Sequence, residues 1–388
     1  MKKIKKIKEV CTISGGYAFK SNDFTRQGIP IIRIGDIYGN KVNISSSTVF
    51  FKEYNEKLNK FIIEKGDILV ALSGATTGKF GIYDEDIQAL LNQRVAKISS
   101  KENINNNYLY HYMNKLQNII YNKALGCAQP NISPNQIGEI EIYIPSRLEQ
   151  DKISDVLDIA KGLIDKRKKQ IEELDLLVKS KFIEMFGNLF KNEKQWKVSC
   201  YEEICNCITD GEHSTPRRCA KGIYLLSARN IHNHYLQLED VDFIDENEYL
   251  RISKRIIPAK DDILISCSGS VGRVCKVPEN IKFQMVRSVA ILKLNSNINA
   301  TFMEWLIDSS YTQQQILKSV NKSSQANLFQ GKIKKLKAIV PPIELQNQFA
   351  DFVNQVDKLK FEMEKSLKEL ENNFNSLMQK AFKGELFK

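Results

Sequence analysis

Few stretches of this 388-residue sequence combine residue types at a spacing that could do chemistry. Gly74-Ala-Thr-Thr-Gly78-Lys79-Phe80 joins a tight glycine turn to a cation, as phosphate-cradling loops do. It is one residue short of a nucleotide-binding loop, and Phe80 stands where Mg²⁺ coordination wants Ser or Thr. A second run, Gly269-Ser-Val-Gly272-Arg273, is shorter still. Neither suits a nucleotide, but backbone N–H groups beside Lys79 or Arg273 could grip a nucleic-acid phosphate. A plain strand-connecting turn is the simpler account of both. His232-Asn-His234 could put two imidazoles on one side of a strand, yet no acidic or cysteine cluster completes a metal site, so a surface pair is expected. Six of the eight cysteines fall between positions 200 and 275, including Cys205-Asn-Cys207, but no Cys-x-x-Cys occurs. Val340-Pro-Pro-Ile343 lacks the Asn or Asp and the aromatic that would hold a flipped adenine. No glycine-rich cofactor loop follows a strand. The chain is therefore expected to bind no cofactor and no metal and to catalyse nothing by itself.

The elements that carry these runs come in two copies, offset by about 195 residues. Gly28-Ile-Pro-Ile-Ile-Arg-Ile-Gly-Asp-Ile37 answers Gly222-Ile-Tyr-Leu-Leu-Ser-Ala-Arg-Asn-Ile231. Asp67-Ile-Leu-Val-Ala-Leu-Ser-Gly74 answers Asp262-Ile-Leu-Ile-Ser-Cys-Ser-Gly269, and Arg94-Val-Ala96 answers Ser288-Val-Ala290. Gln129-Pro-Asn131 answers Gln325-Ala-Asn327, Ile144-Pro145 answers Val340-Pro341, and Gln150 answers Gln346. Stations kept in one order at nearly one offset imply a tandem duplication. The repeat sets Cys207 against Ile13, Cys267 against Leu72 and Cys205 against Cys11, which marks these cysteines as core fillers and argues against zinc.

Each copy ends in a helical pattern too long for a globular core. Ile153, Leu157, Ala160, Ile164, Ile171, Leu174, Val178, Phe182 and Met185 recur at steps of three and four, with Arg167 in the one polar slot. Phe349, Val353, Val356, Leu359, Met363, Leu367, Leu370, Phe374, Leu377 and Ala381 do the same in the second copy. Residues 148–186 and 344–382 would each span about 58 Å as helix, and a stripe near 3.5 spacing reads as a coiled-coil seam between the two. Short β-branched and leucine-rich runs (29–34, 67–72, 225–228, 263–267) and helical stretches at 108–121 and 302–317 make the remainder mixed. The expected fold class is α+β. Two tandem α/β domains, 1–145 and 189–341, alternate with long helices at 146–188 and 342–388 that form an antiparallel coiled coil.

Charge follows this division. The net +11 resolves into +7 over residues 1–147, −1 over 148–186, +6 over 187–343 and −1 over 344–388. A membrane-binding basic helix would concentrate cations on the helices, and these are neutral. Two basic domains on neutral spacers suit a duplex polyanion touched at two places. The opening Met1-Lys-Lys-Ile-Lys-Lys-Ile-Lys-Glu leads into no apolar run, and about 18 consecutive apolar residues occur nowhere. A cytoplasmic protein with reduced thiols and no membrane association is expected.

Two domains each opened by a Gly-Ile-hydrophobic strand ending in Asp36-Ile37 or Asn230-Ile231 continue with Gly66-Asp67-Ile68-Leu69, then Gln-x-Asn, then Ile-Pro before a long helix. This layout resembles the specificity (S) subunits of type I restriction-modification systems over essentially the whole chain. Asp210-Gly211-Glu212-His213-Ser214-Thr215-Pro216 is similar to the opening motif of that family's target-recognition domains, and Leu377 to Leu386 to the end of its second helical region. Ser14-Gly-Gly-Tyr17 stands in place of the opening motif in the first copy, and Arg147-Leu148-Glu149-Gln150 in place of the proline-rich helix start. The resemblance implies a non-catalytic reader in which each target-recognition domain takes half of a split sequence of double-stranded DNA in the major groove. It implies that the helices set the unread spacer and dock two methyltransferase (M) subunits, which bring S-adenosylmethionine. Restriction/translocase (R) subunits would join through the methyltransferase.

The residues expected to touch DNA lie in loops flanking the repeated strands. They are Lys20, Ser21, Arg33, Thr77 and Lys79 in the first domain, and His213, Thr215, Arg217, Arg218 and Arg273 in the second. Arginine suits the guanine O6/N7 fork, and Ser or Thr accepts several partners. Arg33, Arg94 and Arg287 lie in or beside strands and are open to a second account as structural ion-pair partners. A competing class is a coiled-coil interaction protein whose basic domains bind RNA or an acidic protein. A third is a self-sufficient nuclease or methylase, which predicts activity from the purified chain alone.

Overall fold

The computed structural model describes residues 4–52, 55–125, 129–320 and 327–387. The chain forms two compact units, Met1–Lys168 with Lys365–Lys388, and Lys169–Glu364. Each unit is one α/β domain plus a piece of both long helices, so the units cut across the four segments expected from sequence.

The first unit is built on Ile68–Ala71, four buried residues in a sheet ordered 11–15, 95–100, 68–71, 80–82, 41–42, 37–38. Period-two alternation sends its side chains to opposite faces. Ile68 and Val70 pack with one face of the helix Asn106–Ala124, with Ile153 and Leu157 of the first long helix, and with Ala381 and Phe382 of the second. Leu69 and Ala71 face the other way, onto Ile32, Leu91 and Tyr83. A second sheet, ordered 24–25, 49–51, 29–32, 89–91, 62–63, supplies that side.

The second unit repeats the plan with fewer strands. Its main sheet runs 205–210, 289–294, 263–266, 274–276, and a second runs 242–244, 223–226, 283–285. Ile263 and Ile265 join the helix-facing core, while Leu264 joins the opposite one. The single helical stretch expected over 302–317 is instead two helices, Ala300–Asp308 and Ser310–Ser319, broken where Ser309 takes an extended conformation.

The two long helices are Arg147–Phe186 and Ile343–Lys383, of 40 and 41 residues. The first starts on a reciprocal cap between Ser146 and Glu149, so Ser146-Arg-Leu-Glu149 does what prolines do elsewhere. The second follows Pro341-Pro342, which cannot continue a strand ladder and pre-set the helical φ. Gly187 and Gly384, both in the left-handed region, end them. Inside the first unit, Leu157 of the first helix shares a core with Phe382 of the second, and Lys168 pairs with Glu371 at 2.8 Å. Inside the second unit, Phe182 meets Phe349, and Asp175 pairs with Lys360 at 2.7 Å. Early residues of one helix therefore face late residues of the other, and the helices run antiparallel. Leu359, expected in the seam, is 47% exposed, and Lys360 takes the position beside the partner helix.

Candidate nucleic-acid interface

In each unit the hydrogen-bonded register brings the loops that carry the expected site residues to one end of the main sheet. In the first unit, Gly15 pairs with Ala96, Val95 with Ala71, and Val70 with Phe80. The segments 16–21, 92–94 and 72–79 all leave from this end. Strands 29–32 and 89–91 run parallel and finish together at Ile32 and Leu91, which adds Arg33. Lys20, Ser21, Arg33, Thr77, Lys79 and Arg94 thus belong to one loop cluster. In the second unit, Asp210 pairs with Ala290, Val289 with Ser266, and Ile265 with Val274. The same end gathers His213, Thr215, Arg217, Arg218, Arg273 and Arg287.

A shared set of backbone hydrogen bonds holds the two loop ends. Tyr17 N donates to Leu91 O, and Gln93 N donates back to Tyr17 O, at 2.8 and 2.9 Å. Glu212 N to Met285 O and Arg287 N to Glu212 O repeat both, at 2.9 and 3.0 Å. The crossing needs glycine, because a Cβ on Gly16 would lie 2.1 Å from Asn92 O, and one on Gly211 would lie 2.3 Å from Met285 O. Ser14-Gly-Gly-Tyr17 is therefore the structural equivalent of the opening motif that sequence comparison found missing from the first copy. The Gln-x-Asn station is also explained. Asn131 bridges to Ser73 and Asn327 to Ser268, tying a distant segment to the glycine loop. Gln325 and Ala326 of that station lie outside the described residues.

Within this frame the candidate residues differ sharply. Thr77 is only 3% exposed, and its hydroxyl donates to the carbonyls of Gly74 and Pro130, which ties the glycine loop together. Most of the loop N–H groups expected to grip a phosphate are already used. Those of Gly74, Thr77, Gly78 and Lys79, and of Val271, Gly272 and Arg273, all donate inside the protein. The cation each glycine loop offers a phosphate is the side chain of Lys79, exposed, or Arg273, half-buried. Arg33 Nη2 donates to Ser47 O at 2.7 Å, and Arg218 Nε donates to Asp242 at 2.9 Å, so both are held internally. Lys20, Ser21, Arg94, His213, Thr215, Arg217 and Arg287 are exposed.

The opening loop of the second unit is clamped by charge. Arg255 Nη2 donates to Asp210 Oδ1 at 2.6 Å, while His213 Nε2 lies 2.9 Å from the other carboxylate oxygen. Arg251 reaches both Glu248, at 2.9 Å, and Glu212, at 3.6 Å. The Ser214 hydroxyl and then Arg251 hold Glu212 below the usual carboxylate range, and Arg251 does the same for Glu248. Aromatic packing does this work in the first unit, where Tyr17 lies 4.9 Å from Phe19 and 5.4 Å from Phe61, centroid to centroid. Sequence reasoning missed Arg251, Arg255 and Gln93. For Gln93 the signal was present, since it precedes Arg94 at a repeat station and falls opposite Arg287 at an offset of 194.

His234 lies at the surface, as expected of that pair, but it is anchored there. It stacks on Trp305 at 4.2 Å and lies 3.4 Å from Asp308 and 3.5 Å from Glu304. Cys267 and Leu72 both sit in the core, as their repeat correspondence required. Burial pushes the Cys11, Cys205 and Cys267 thiols up to about 12. Among the described residues, no group of three or more His, Cys, Asp or Glu side chains is placed to hold a metal ion, and no helix is long and apolar enough to cross a membrane.

Known proteins share both sequence and fold with this chain. The type I restriction modification DNA specificity domain family matches residues 2–175 and again 193–372. The type I restriction enzyme EcoBI specificity subunit of Escherichia coli is 25% identical, over 97% of this chain and 84% of its own length. A chain from a structure concerned with complex assembly and conformational transition of the type I R-M system superposes with a TM-score of 0.62 at 15% identity, covering 99% of this chain and 98% of that one. The crystal structure of the type I restriction-modification S subunit from M. genitalium gives 0.54 at 17% identity, covering 98% and 96%. With two matches that between them take in both repeats, the chain belongs to the type I restriction-modification DNA specificity domain family.

Proposed function

We propose that this chain is the non-catalytic DNA-recognition subunit of a type I restriction-modification complex, working in the cytoplasm. Each unit's loop end reads one half of a bipartite duplex sequence. The observation that carries this is the convergence of exposed cationic and polar side chains on equivalent sheet ends, one per unit, held by the same backbone hydrogen bonds. Lys20, Lys79 and Arg94 in the first unit, and Arg217, Arg273 and Arg287 in the second, face the DNA, with Ser21, His213 and Thr215 beside them. Phosphate contacts supply affinity, and base edges supply choice. The long helices set the length of the unread spacer and dock two methyltransferase subunits, through which restriction subunits join. The methyltransferase brings S-adenosylmethionine.

The test exchanges residues 1–145 for the corresponding domain of another family member, co-produces the chimera with its methyltransferase, and maps methylated sites across the host genome. One half of a bipartite motif should change while the other stays. A change in both halves, or in neither, would overturn the two-reader assignment, and a preference for RNA over duplex DNA in direct binding would replace it with the RNA-binding class.

A further inference from the structure

Residues 92–95 and 286–289 form the same turn, closed by Val95 N donating to Asn92 O in one unit and Val289 N donating to Val286 O in the other. Gln93 and Arg287 occupy the first corner of it. Three further pairs of hydrogen bonds fix that corner identically: Gln93 N to Tyr17 O and Arg287 N to Glu212 O, Leu72 N to Arg94 O and Cys267 N to Ser288 O, Asn92 N to Ile32 O and Val286 N to Leu226 O. The turn joins two buried strands in each unit, 89–91 to 95–100 and 283–285 to 289–294, so its backbone cannot drift. Both side chains are exposed. Neither makes a hydrogen bond or ion pair among the described residues, although acidic partners hold Arg218, Arg229, Arg251 and Arg255 close by.

We infer that Gln93 and Arg287 are specificity-determining residues that each choose one base, an adenine in the half-site read by the first unit and a guanine in the half-site read by the second. The inference rests on the DNA-reading function proposed above. A glutamine amide offers one donor and one acceptor, the complement of adenine N7 and N6, whereas a guanidinium offers two donors, the complement of guanine N7 and O6. A phosphate anchor on this corner would favour a cation in both copies, and Gln93 carries no charge. A side chain on a locked turn between core strands also has the fixed geometry that a bidentate base contact needs.

The test maps methylated sites in hosts that produce the full chain with its methyltransferase, comparing wild type with Gln93→Ala, Gln93→Arg, Arg287→Ala and Arg287→Gln. Each alanine variant should relax one position in one half of the motif, adenine for position 93 and guanine for position 287. Each exchange should move the preferred base at that position, adenine to guanine for Gln93→Arg and the reverse for Arg287→Gln. Should a variant methylate too weakly to map, its purified complex is titrated with four duplexes differing only at that base pair. Loss of a charged or amide fork should then cost about 5- to 150-fold in discrimination. A motif unchanged in all four variants, or four duplexes discriminated as by wild type, overturns the inference and leaves the bipartite reading standing. A wild-type motif that is not bipartite overturns both.

Discussion

At the scale of single residues, the site depends on two glycines that no other side chain can replace. Gly211 passes so close to Met285 O, and Gly16 to Asn92 O, that a methyl group at either position would push on a backbone carbonyl of a buried strand end. Overpacking against backbone leaves no rotamer to relax into, so Gly211→Ala should destabilise the second unit by at least about 2 kcal/mol. Gly35→Ala, where a Cβ meets nothing within 4 Å, should be close to neutral in the same thermal unfolding measurement. His234 gives a second prediction with a definite sign. Burial alone would lower its pKa, but hydrogen bonds to Asp308 and Glu304 outweigh that and raise it to about 9. A histidine near 6.5 when unfolded and near 9 when folded adds stability that is complete below about pH 6.5 and is lost as pH rises to 9. Asp308 sets the acid edge. Although burial opposes it, His234 holds this carboxyl below its ordinary value, so its share is lost as pH falls through that lowered pKa. Because the imidazole keeps contact with solvent, screening trims this, and stability from pH 6 to 9 should fall by on the order of 1 kcal/mol more for the wild type than for His234→Gln.

At the scale of elements, each long helix is fastened to its domain by one buried glutamine. Gln346 is fully buried. Its Oε1 accepts from Asn299 N at 2.9 Å, and its Nε2 donates to Pro341 O at 2.8 Å and Asn297 O at 3.2 Å. Gln150 repeats the clasp on Asn105 N and Pro145 O. Gln346→Leu fills the same space but strands a buried N–H and two carbonyls, which should cost about 2–4 kcal/mol. Both tryptophans, Trp196 and Trp305, lie in the second unit, so urea unfolding followed by their fluorescence reads this loss directly. The paired glutamines were visible in the sequence as a repeat station, but their job was not, because each clasps backbone atoms more than forty residues away as well as a proline carbonyl nearby. The helices themselves were legible almost to the residue, since apolar periodicity is a local signal. Leu359 was misplaced because a strict 3.5 spacing drifts against a helix of 3.6 residues per turn. Similarly, Arg217 and Arg218 look alike in sequence, and only the fold sets Asp242 beside the second and brings Glu248 to the backbone N–H of the first. The anchors of the exposed His234, Glu304, Trp305 and Asp308, escaped the sequence for the same reason, lying some seventy positions away.

At the scale of the whole molecule, duplication turns one basic chain into two matched readers. The excess of +7 and +6 lies in the two globular segments, and the helical segments are each −1. These net figures already subtract the acidic partners, among them Asp242, which meets Arg218 and Arg229, and Asp210, which meets Arg255. For phosphates the loop ends offer side chains with no hydrogen bond or ion pair among the described residues, Lys20, Lys79 and Arg94 in one unit and Arg217 and Arg273 in the other. Each that binds a phosphate releases counterions, and each should steepen the fall of log K with log salt by about 0.9. Five such contacts predict a slope near −4.5, a loss of roughly 500-fold between 50 and 200 mM salt, measured by titrating the intact complex with its duplex. Lys79→Gln and Arg273→Gln should each remove close to one from the slope and weaken binding to every sequence alike, because a phosphate contact carries no base information. Gln93→Ala should leave the slope where it was. A slope unmoved by both glycine-loop variants would mean that these loops do not touch the DNA backbone, and would place the electrostatic contact on other residues of the two sheet ends.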